Sequence, residues 1–414
     1  TIFHMRWYRL IELKANLQKY LLDKRCPVKP LGPAGEQKPT SVSQHYYSFD
    51  ALNPGTTAYG ILLPQESCRW KRASSRNMDS VAFHPMCVMK NYLWVPPGHG
   101  YQIVNLYSDF QLGSDQRLKV VTSPLSSQAP FLLHCREETK QFEIEYLDAC
   151  TPTINDHLKK AINISVQEQA HILLFPEMMA SPDSIHHCAE YIRDNWTLDF
   201  PNLILLPTCE YKDEKGWVND LTALDSDGNC IFSYHKQHPF QLDRKCGGES
   251  SEAGLAPSDS FFEPIHADNI IYILHVPDIG RIGFLICSDV FQEGYLDYLT
   301  QQLKITLLLH IVCSPGEDLL LRKLATANRD MCDVILCNTC AAWDNAQKDP
   351  ESRPRVEISD RPMINIYLPY GHKYSERLPL PVTCEQESCT GCAFVMELAN
   401  KYQDRAVPID HRNN

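Results

Sequence analysis

Three reactive side chains in this 414-residue sequence each follow an apolar run that is expected to form a strand. Glu177 comes after residues 173–175, Lys236 after residues 230–233, and Cys287 after residues 282–286. A cysteine can attack an electrophilic carbon, a carboxylate can take the thiol proton, and an ammonium can stabilise the oxyanion that forms. Each residue also has a plainer interpretation when taken alone: a solvated carboxylate, a surface lysine and a buried structural thiol.

This chemistry requires that the three side chains meet in one closed pocket. A cysteine thiol with an ordinary pKa of about 8.5 is only partly ionised at neutral pH, so it needs a base or a cationic neighbour. A glutamate can be that base when burial raises its pKa toward neutrality. The strand that runs into Cys287 and then into polar residues predicts a strand-to-helix turn, which exposes a nucleophile and aims the next backbone N–H at the oxyanion.

Three short motifs occur in a fixed order along the chain: Pro-Glu at 176–177, Tyr-x-Lys at 234–236 and Ile-Cys-x-Asp at 286–289. Together they resemble the motifs of the carbon–nitrogen hydrolase (nitrilase) superfamily. The resemblance covers residues 135–400 and includes Asn338 and residues 304–313, which are similar to the family strand after the nucleophile. Two positions depart from the family pattern: Ser288 replaces the usual aromatic residue, and Gln292 replaces a common proline. These departures affect which substrate class is expected more than they affect the assignment of the triad, which is Glu177, Lys236 and Cys287.

The resemblance implies a hydrolase that cleaves a non-peptide carbon–nitrogen bond, in an amide or a nitrile, through a thioester on Cys287. Glu177 is then the base, and Lys236 with the backbone N–H of Ser288 stabilises the oxyanion. The substrate is a small molecule, and the family calls for no metal and no cofactor. Family members commonly pair their outer helices across subunits, which implies a homo-oligomer.

A second glutamate is expected after the lysine, because family members often carry one that orients the site or moves protons. Glu252, which precedes residues 255–259, best matches its usual place, and Glu249 is the second choice. Both glutamates also fit a polar loop, since the surrounding sequence is rich in Gly and Ser.

The elements that must position these residues have an α/β pattern. Apolar runs alternate with helical patterns after about residue 135, and Thr151 and Pro152 fit the N-cap and first turn of a helix. Together with the resemblance, this predicts a four-layer α-β-β-α sandwich over residues 135–405. Residues 1–134 are predicted to be an N-terminal appendage of mixed structure: a helix, a Pro-rich linker and a small β-rich region of unknown role.

The first 30 residues are basic in an otherwise acidic chain. They carry seven Lys or Arg residues against two acidic ones, whereas the whole chain has a formal net charge of -12. Leucines at 10, 13, 17 and 21 have helical spacing. The segment therefore predicts a helix whose basic face is either solvated or docks on an acidic or nucleic-acid partner, while the acidic remainder argues against general nucleic-acid or membrane binding.

The composition indicates an intracellular protein. The 17 cysteines are odd in number and scattered through apolar runs, which favours a reducing, cytoplasmic compartment over a disulfide framework. The longest apolar run, residues 305–313, is too short to cross a bilayer, and no signal-peptide pattern opens the chain. Because the sequence starts at Thr1, processing or excision from a longer polypeptide is expected.

Several other interpretations compete with the hydrolase. A retained but non-catalytic assembly or ligand-binding module fits the departures at Ser288 and Gln292. Nitrilase-like domains also occur fused to larger proteins, including bacterial anti-phage defence-associated reverse transcriptases, which this layout resembles.

A cysteine peptidase would need a histidine in a matching context, and the sequence offers none. A zinc site at Cys384, Cys389, Cys392 and His372 is disfavoured because the cysteines lack paired CxxC knuckles. A metal site at His186, His187, His235 and His238 is disfavoured because surface or pocket-lining histidines are far commoner.

Overall fold

The computed structural model describes residues 46–48, 61–64, 92–95, 100–108, 117–136, 138–244, 259–276, 279–314, 317–329, 332–342, 365–368, 378–379, 389–398 and 408–410. The basic segment of residues 1–30, Glu249, Glu252, His372 and Cys384 lie outside these ranges. The predictions made for them therefore stay predictions.

Short strands dominate the described chain. In chain order they are β1 (Tyr46–Ser48), β2 (Ile61–Pro64), β3 (Tyr92–Val95), β4 (Gln102–Ser108), β5 (Leu118–Thr122), β6 (Phe131–Arg136), β7 (Gln141–Tyr146), β8 (Ile172–Leu174), β9 (Leu203–Leu205), β10 (Cys209–Lys212), β11 (Trp217–Leu224), β12 (Cys230–His235), β13 (Gln241–Arg244), β14 (Asp259–Phe262), β15 (Ile270–Val276), β16 (Gly280–Ile286), β17 (Leu307–Ile311), β18 (Asp333–Cys337), β19 (Asn365–Leu368), β20 (Leu378–Pro379), β21 (Phe394–Leu398) and β22 (Pro408–Asp410).

The α-helices are α1 (Thr151–Gln167), α2 (Pro182–Asp194), the one-turn α3 (Tyr295–Asp297) and α4 (Glu317–Arg329). Helix α1 has Cys150 as its N-cap, one residue before the predicted Thr151, and a proline in its first turn. Helix α2 starts on Ser181, whose side chain accepts a hydrogen bond from the Ser184 backbone N–H. A 3-10 turn spans Cys287–Phe291.

Two large sheets form the centre of the fold. Sheet I has the strand order β1-β4-β15-β16-β17-β18-β19-β20, and sheet II has the order β10-β11-β9-β8-β5-β21-β22, with β12 also paired to β11. The central strands β16, β17 and β18 run parallel in sheet I, as β5, β8 and β9 do in sheet II. A smaller sheet joins β13, β14, β7 and β6.

The central strands are apolar at successive positions because both faces of each sheet are covered. All residues of β8, β9, β16, β17 and β18 are buried. One core cluster combines side chains of both sheets with α4, and a second cluster packs α1 and α2 against sheet II. The described elements therefore have the predicted α/β class, with paired sheets and helices packed on both.

Three strands before residue 135, β1, β4 and β5, belong to the two large sheets. Strand β4 pairs in parallel with β15 in sheet I, and β5 lies between β8 and β21 in sheet II. Ile103 of β4 and Val120 of β5 are completely buried. The predicted boundary at residues 134/135 thus differs from the sheet topology, because short strands such as β4 and β5 show their partners only in three dimensions.

None of the helices in the described ranges combines the length and the apolar character that a membrane crossing requires.

Candidate active site

Cys287 lies at the carboxyl end of β16, on a sharp backbone turn. Its φ of 40° is left-handed, a region that a non-glycine residue adopts at an energetic cost and that is enriched at functional sites. The side chain is nearly buried, with 7% exposed. The Cys287 carbonyl oxygen accepts a hydrogen bond from His310 Nε2 at 3.0 Å. The strained turn that the sequence predicts is therefore present, but the prediction that it exposes the nucleophile is wrong, because Cys287 is buried.

Glu177 follows β8 and is completely buried. Its Oε1 accepts hydrogen bonds from Lys236 Nζ at 2.9 Å and Asn219 Nδ2 at 3.0 Å, and its Oε2 accepts one from the Cys313 backbone N–H at 3.1 Å. The Cys287 thiol lies near enough to lower the pKa of this carboxyl group. One carboxylate thus interacts with the other two residues of the predicted triad.

Lys236 follows β12 and is 1% exposed. Its backbone N–H donates to the Asn219 carbonyl oxygen at 2.8 Å, which ties the loop to β11. Its Nζ lies between two carboxylates, 2.9 Å from Glu177 Oε1 and 2.7 Å from Glu263 Oε2. A buried ammonium with two carboxylate partners is held in a fixed position and keeps its charge.

Glu263 is a site residue that the sequence analysis did not identify. It follows β14, is 3% exposed, forms an ion pair with Lys236 Nζ at 2.7 Å, and accepts hydrogen bonds from Asn219 Nδ2 and the Phe240 backbone N–H. The available signal was a glutamate next to a proline directly after an apolar pair, Phe261-Phe262-Glu263-Pro264. Asn219 lies within β11 and gave no signal, because nothing in a strand sequence distinguishes an amide that faces a site.

Asp289 joins the lysine loop to the cysteine turn. Its Oδ1 accepts hydrogen bonds from the backbone N–H groups of Gln237 at 3.0 Å and His238 at 2.8 Å, and its Oδ2 accepts one from the Ile286 N–H at 3.3 Å. The Ser288 hydroxyl donates to the His238 carbonyl oxygen at 3.0 Å. The residues after β12 and β16 are therefore fixed to each other by side chain to backbone hydrogen bonds.

The electrostatics favour a neutral thiol in the resting site. Burial, followed by the neighbouring Glu177 charge, raises the pKa of Cys287 well above its ordinary value, and Lys236 only partly opposes this. Burial also raises the pKa of Glu177, against the opposing effect of Lys236. Burial lowers the pKa of Lys236, but Glu177 and Glu263 outweigh it, so that pKa is raised overall. Cys287 therefore needs a base to become a thiolate.

The histidines near the nucleophile make other contacts. His310 Nε2 bonds the Cys287 backbone oxygen, and burial lowers the pKa of His310 to about 4. His238 bonds Asp289 at 3.2 Å and the Tyr101 hydroxyl at 3.3 Å. Apart from burial, the groups that most affect the pKa of the Cys287 thiol are Glu177, Lys236 and Cys313, and no histidine is among them.

The described ranges contain no group of three or more His, Cys, Asp or Glu side chains arranged to hold a metal ion. His186 pairs with Glu190 at 3.0 Å, and the ring of His187 bonds the Asp183 carbonyl oxygen at 2.8 Å. Twelve cysteines in the described residues are free thiols, among them Cys389 and Cys392.

Comparisons with known proteins give structural likeness without sequence matches. No family model and no curated protein matches the chain. An amidase of the nitrilase superfamily from Nesterenkonia AN1 is 11% identical with a TM-score of 0.43, and the match covers 69% of this chain and 92% of that one. The C. elegans NitFhit protein is 17% identical with a TM-score of 0.35, covering 55% and 52%. A glutamine-dependent NAD+ synthetase from Acinetobacter baumannii is 13% identical with a TM-score of 0.38, covering 68% and 45%.

Each of these TM-scores lies below 0.5 and each identity below 25%, so we base the proposed function on the geometry of the site. The structures found to be similar include an amidase of the nitrilase superfamily, the family that the three sequence motifs resemble.

Proposed function

We propose that this chain hydrolyses a non-peptide carbon–nitrogen bond of a small amide or nitrile through a thioester on Cys287. The observation that carries the proposal is the placement of the Glu177 carboxylate, which lies 2.9 Å from Lys236 Nζ and interacts with the Cys287 thiol. A thiol, a base and a fixed cation in contact supply the nucleophile, the proton acceptor and the stabiliser of an oxyanion.

For an amide, the reaction begins when Glu177 takes the thiol proton as the sulfur attacks the carbonyl carbon. The carbonyl oxygen becomes an oxyanion, which Lys236 Nζ and the backbone N–H of Ser288 stabilise. Glu177 then returns the proton to the departing nitrogen, the carbon–nitrogen bond breaks, and an acyl thioester remains on Cys287. In the second half, Glu177 takes a proton from water, the resulting hydroxide attacks the thioester, and the proton passes to the thiolate as the acid leaves.

Glu263 has a supporting role in this scheme. It forms a second ion pair with Lys236, at 2.7 Å, so the ammonium is shared between two carboxylates and is not paired with the base alone. Because Glu177 shares the ammonium with Glu263, it remains basic enough to accept a proton. Glu252 and Glu249 stay predicted supporting residues.

The proposal is tested by mass spectrometry of the intact protein after incubation with a panel of short aliphatic and aromatic amides and nitriles. We expect an acyl adduct on Cys287 in the wild type, a lower yield in Glu177→Gln, and none in Cys287→Ala. The absence of any adduct across the panel, in protein whose Cys287 still reacts with iodoacetamide, would favour a non-catalytic ligand-binding or assembly module.

A further inference from the structure

Tyr101 reaches the active-site loops from the part of the chain before residue 135, which the three sequence motifs do not cover. It directly precedes β4 and is 9% exposed. Its ring packs on the rings of Tyr295 and Tyr298, whose centroids are 5.2 and 6.1 Å away. Its hydroxyl lies 3.3 Å from Nε2 of His238, two residues after Lys236. Tyr101 therefore contacts the loop that carries the ammonium of the site.

His238 connects Tyr101 to Asp289. The second ring nitrogen of His238, Nδ1, lies 3.2 Å from Asp289 Oδ1. The His238 ring also packs edge-on against Tyr295, with the centroids 5.1 Å apart. Both ring nitrogens thus have polar partners, and a continuous chain of contacts runs from the Tyr101 hydroxyl to the carboxylate that ties the lysine loop to the cysteine turn.

The contacts of Asp289 determine which nitrogen of His238 carries the proton. Asp289 Oδ1 accepts hydrogen bonds from the backbone N–H groups of Gln237 and His238, and Oδ2 accepts one from the Ile286 N–H. With His238 Nδ1 the carboxylate has four contacts, which is the number that an ionised carboxylate can accept, and such a group cannot donate. His238 Nδ1 must therefore be the donor, and Nε2 of the neutral ring is an acceptor.

The Tyr101 hydroxyl is then the donor to His238 Nε2. Burial, followed by the negative charge of Asp289, raises the pKa of Tyr101 above its ordinary value, so the hydroxyl keeps its proton at neutral pH. A donor placed on Nε2 favours the tautomer in which Nδ1 carries the proton. The three groups thus donate in one direction, from Tyr101 to His238 and from His238 to Asp289.

We propose that Tyr101 is a positioning residue of the active site: by donating to His238 Nε2, it holds the His238 ring in the tautomer and orientation that donate to Asp289. Asp289 in turn bonds the Ile286 N–H, directly before Cys287. The consequence for catalysis rests on the proposed function. The hydrogen bonds and the tautomer are independent of any substrate.

The first test is nitrogen-15 NMR of the full chain labelled at its histidines, which distinguishes a protonated ring nitrogen from an unprotonated one. At about pH 8, where an ordinary histidine is neutral, we expect His238 to be protonated on Nδ1 and not on Nε2. The His238 signals are identified by their absence in His238→Asn or His238→Gln. In Tyr101→Phe, which loses the hydroxyl and keeps the ring, the Nε2 signal should shift because its donor is gone.

Tyr191→Phe is the matched control for Tyr101→Phe. It removes a tyrosine hydroxyl that donates to Asn163 Oδ1 at 2.9 Å, between helices α2 and α1. Since this hydrogen bond involves neither loop of the site, the control should leave the His238 signals and the reactivity of Cys287 unchanged.

The second test is the rate of Cys287 alkylation by iodoacetamide. We expect Tyr101→Phe to slow it by roughly 2- to 10-fold, the equivalent of one hydrogen bond, because the cysteine turn is held less firmly on the lysine loop. His238→Asn should have a similar effect, since asparagine keeps an N–H for Asp289 and lacks the nitrogen that accepts from Tyr101. The double variant should then be no slower than either single variant. Loosened packing alone would instead speed alkylation, because it exposes a nearly buried thiol.

Three results would overturn the proposal. They are a wild-type His238 protonated on Nε2 and not on Nδ1, an unchanged Nε2 signal in Tyr101→Phe, and alkylation of Tyr101→Phe that is as fast as that of the wild type or faster. If His238→Asn does not fold, the Tyr101→Phe measurements decide, with His238→Gln to identify the signals. Failure of the proposed function appears separately, as a missing acyl adduct in a protein that shows the expected His238 signals and alkylation rates.

Discussion

At the residue scale, the chemistry depends on how four buried ionisable groups share protons and charge. Cys287 is a thiol whose pKa burial raises, and Glu177 is a carboxylate whose pKa burial raises and whose Oε1 lies near Lys236. Glu263 holds the same ammonium from a second direction. The resting site is therefore better described as a neutral Cys287 thiol beside the Glu177 carboxylate than as a Cys287 thiolate paired with the Lys236 ammonium.

Replacement of Glu177 by Gln should slow alkylation of Cys287 by iodoacetamide by roughly 10²- to 10⁴-fold, the usual contribution of a general base. Because burial raises the Glu177 pKa, the wild-type rate should fall on the acid side at a pH above the ordinary carboxyl range, as Glu177 takes up its proton. The rate is measured by mass spectrometry between pH 4 and 9, with Cys287→Ala to identify the labelled thiol. Equal rates in Glu177→Gln and the wild type would exclude Glu177 as the base.

Replacement of Lys236 by Met should lower the free energy of unfolding by roughly 3–5 kcal/mol, because Glu177 and Glu263 are left as buried charges without their partner. The loss should shrink as the pH falls, since both carboxyl groups then take up protons. Urea unfolding at several pH values measures this loss of stability. The control is Lys212→Met, at an exposed position, which should change the free energy of unfolding by less than about 0.5 kcal/mol.

The double variant Lys236→Met with Glu263→Gln separates the ion pair from simple packing. It should recover part of the lost stability, because one unpaired charge is removed together with the lysine. If the two residues act independently, Glu263→Gln will lower the free energy of unfolding of Lys236→Met by as much as it lowers that of the wild type.

At the element scale, the ends of several strands must be held in register with each other. The ends of β8, β12, β14 and β16 supply Glu177, Lys236, Glu263 and Cys287, and these strands belong to three different sheets. Hydrogen bonding within a sheet fixes only neighbouring strands, so contacts between the loops must set the distances across sheets. The most connected of these contacts is Asp289, which bonds the backbone of Gln237, His238 and Ile286.

Replacement of Asp289 by Ala should leave buried backbone N–H groups without acceptors, at a cost of about 1–3 kcal/mol for each group. We expect a large loss of stability and slower Cys287 alkylation, because the loops after β12 and β16 lose their connection. Asp289→Asn, which keeps one acceptor oxygen, should be affected less. Urea unfolding and alkylation rates measure both effects, and Asp297→Ala, at an exposed position in α3, is the matched control. Similar behaviour of Asp289→Ala and Asp297→Ala would contradict this role.

At the scale of the whole molecule, the sequence predicted what depends on local pattern and missed what depends on long-range pairing. The apolar runs at β8, β16, β17 and β18 were recognisable because strands covered on both faces are rich in consecutive apolar residues. The three motif residues were found by their order. Glu263 was missed, because its contacts with Lys236, Asn219 and the Phe240 N–H join segments that no local pattern connects.

The placement of β4 in sheet I leads to a final prediction about the extent of the folding unit. Ile103 of β4 is completely buried and pairs with Ile271 of β15, whereas the neighbouring Gln102 is exposed. Ile103→Asp should therefore destabilise the sheet that carries Cys287, by several kcal/mol for an unpaired buried charge, while Gln102→Asp should stay within about 0.5 kcal/mol. Urea unfolding followed through the protection of Cys337, a completely buried thiol of β18, from alkylation reports on sheet I. If residues 1–134 were a separate appendage, Ile103→Asp would leave the unfolding of sheet I unchanged. Loss of protection at lower urea would show that β4 and the central strands of this sheet unfold as one unit.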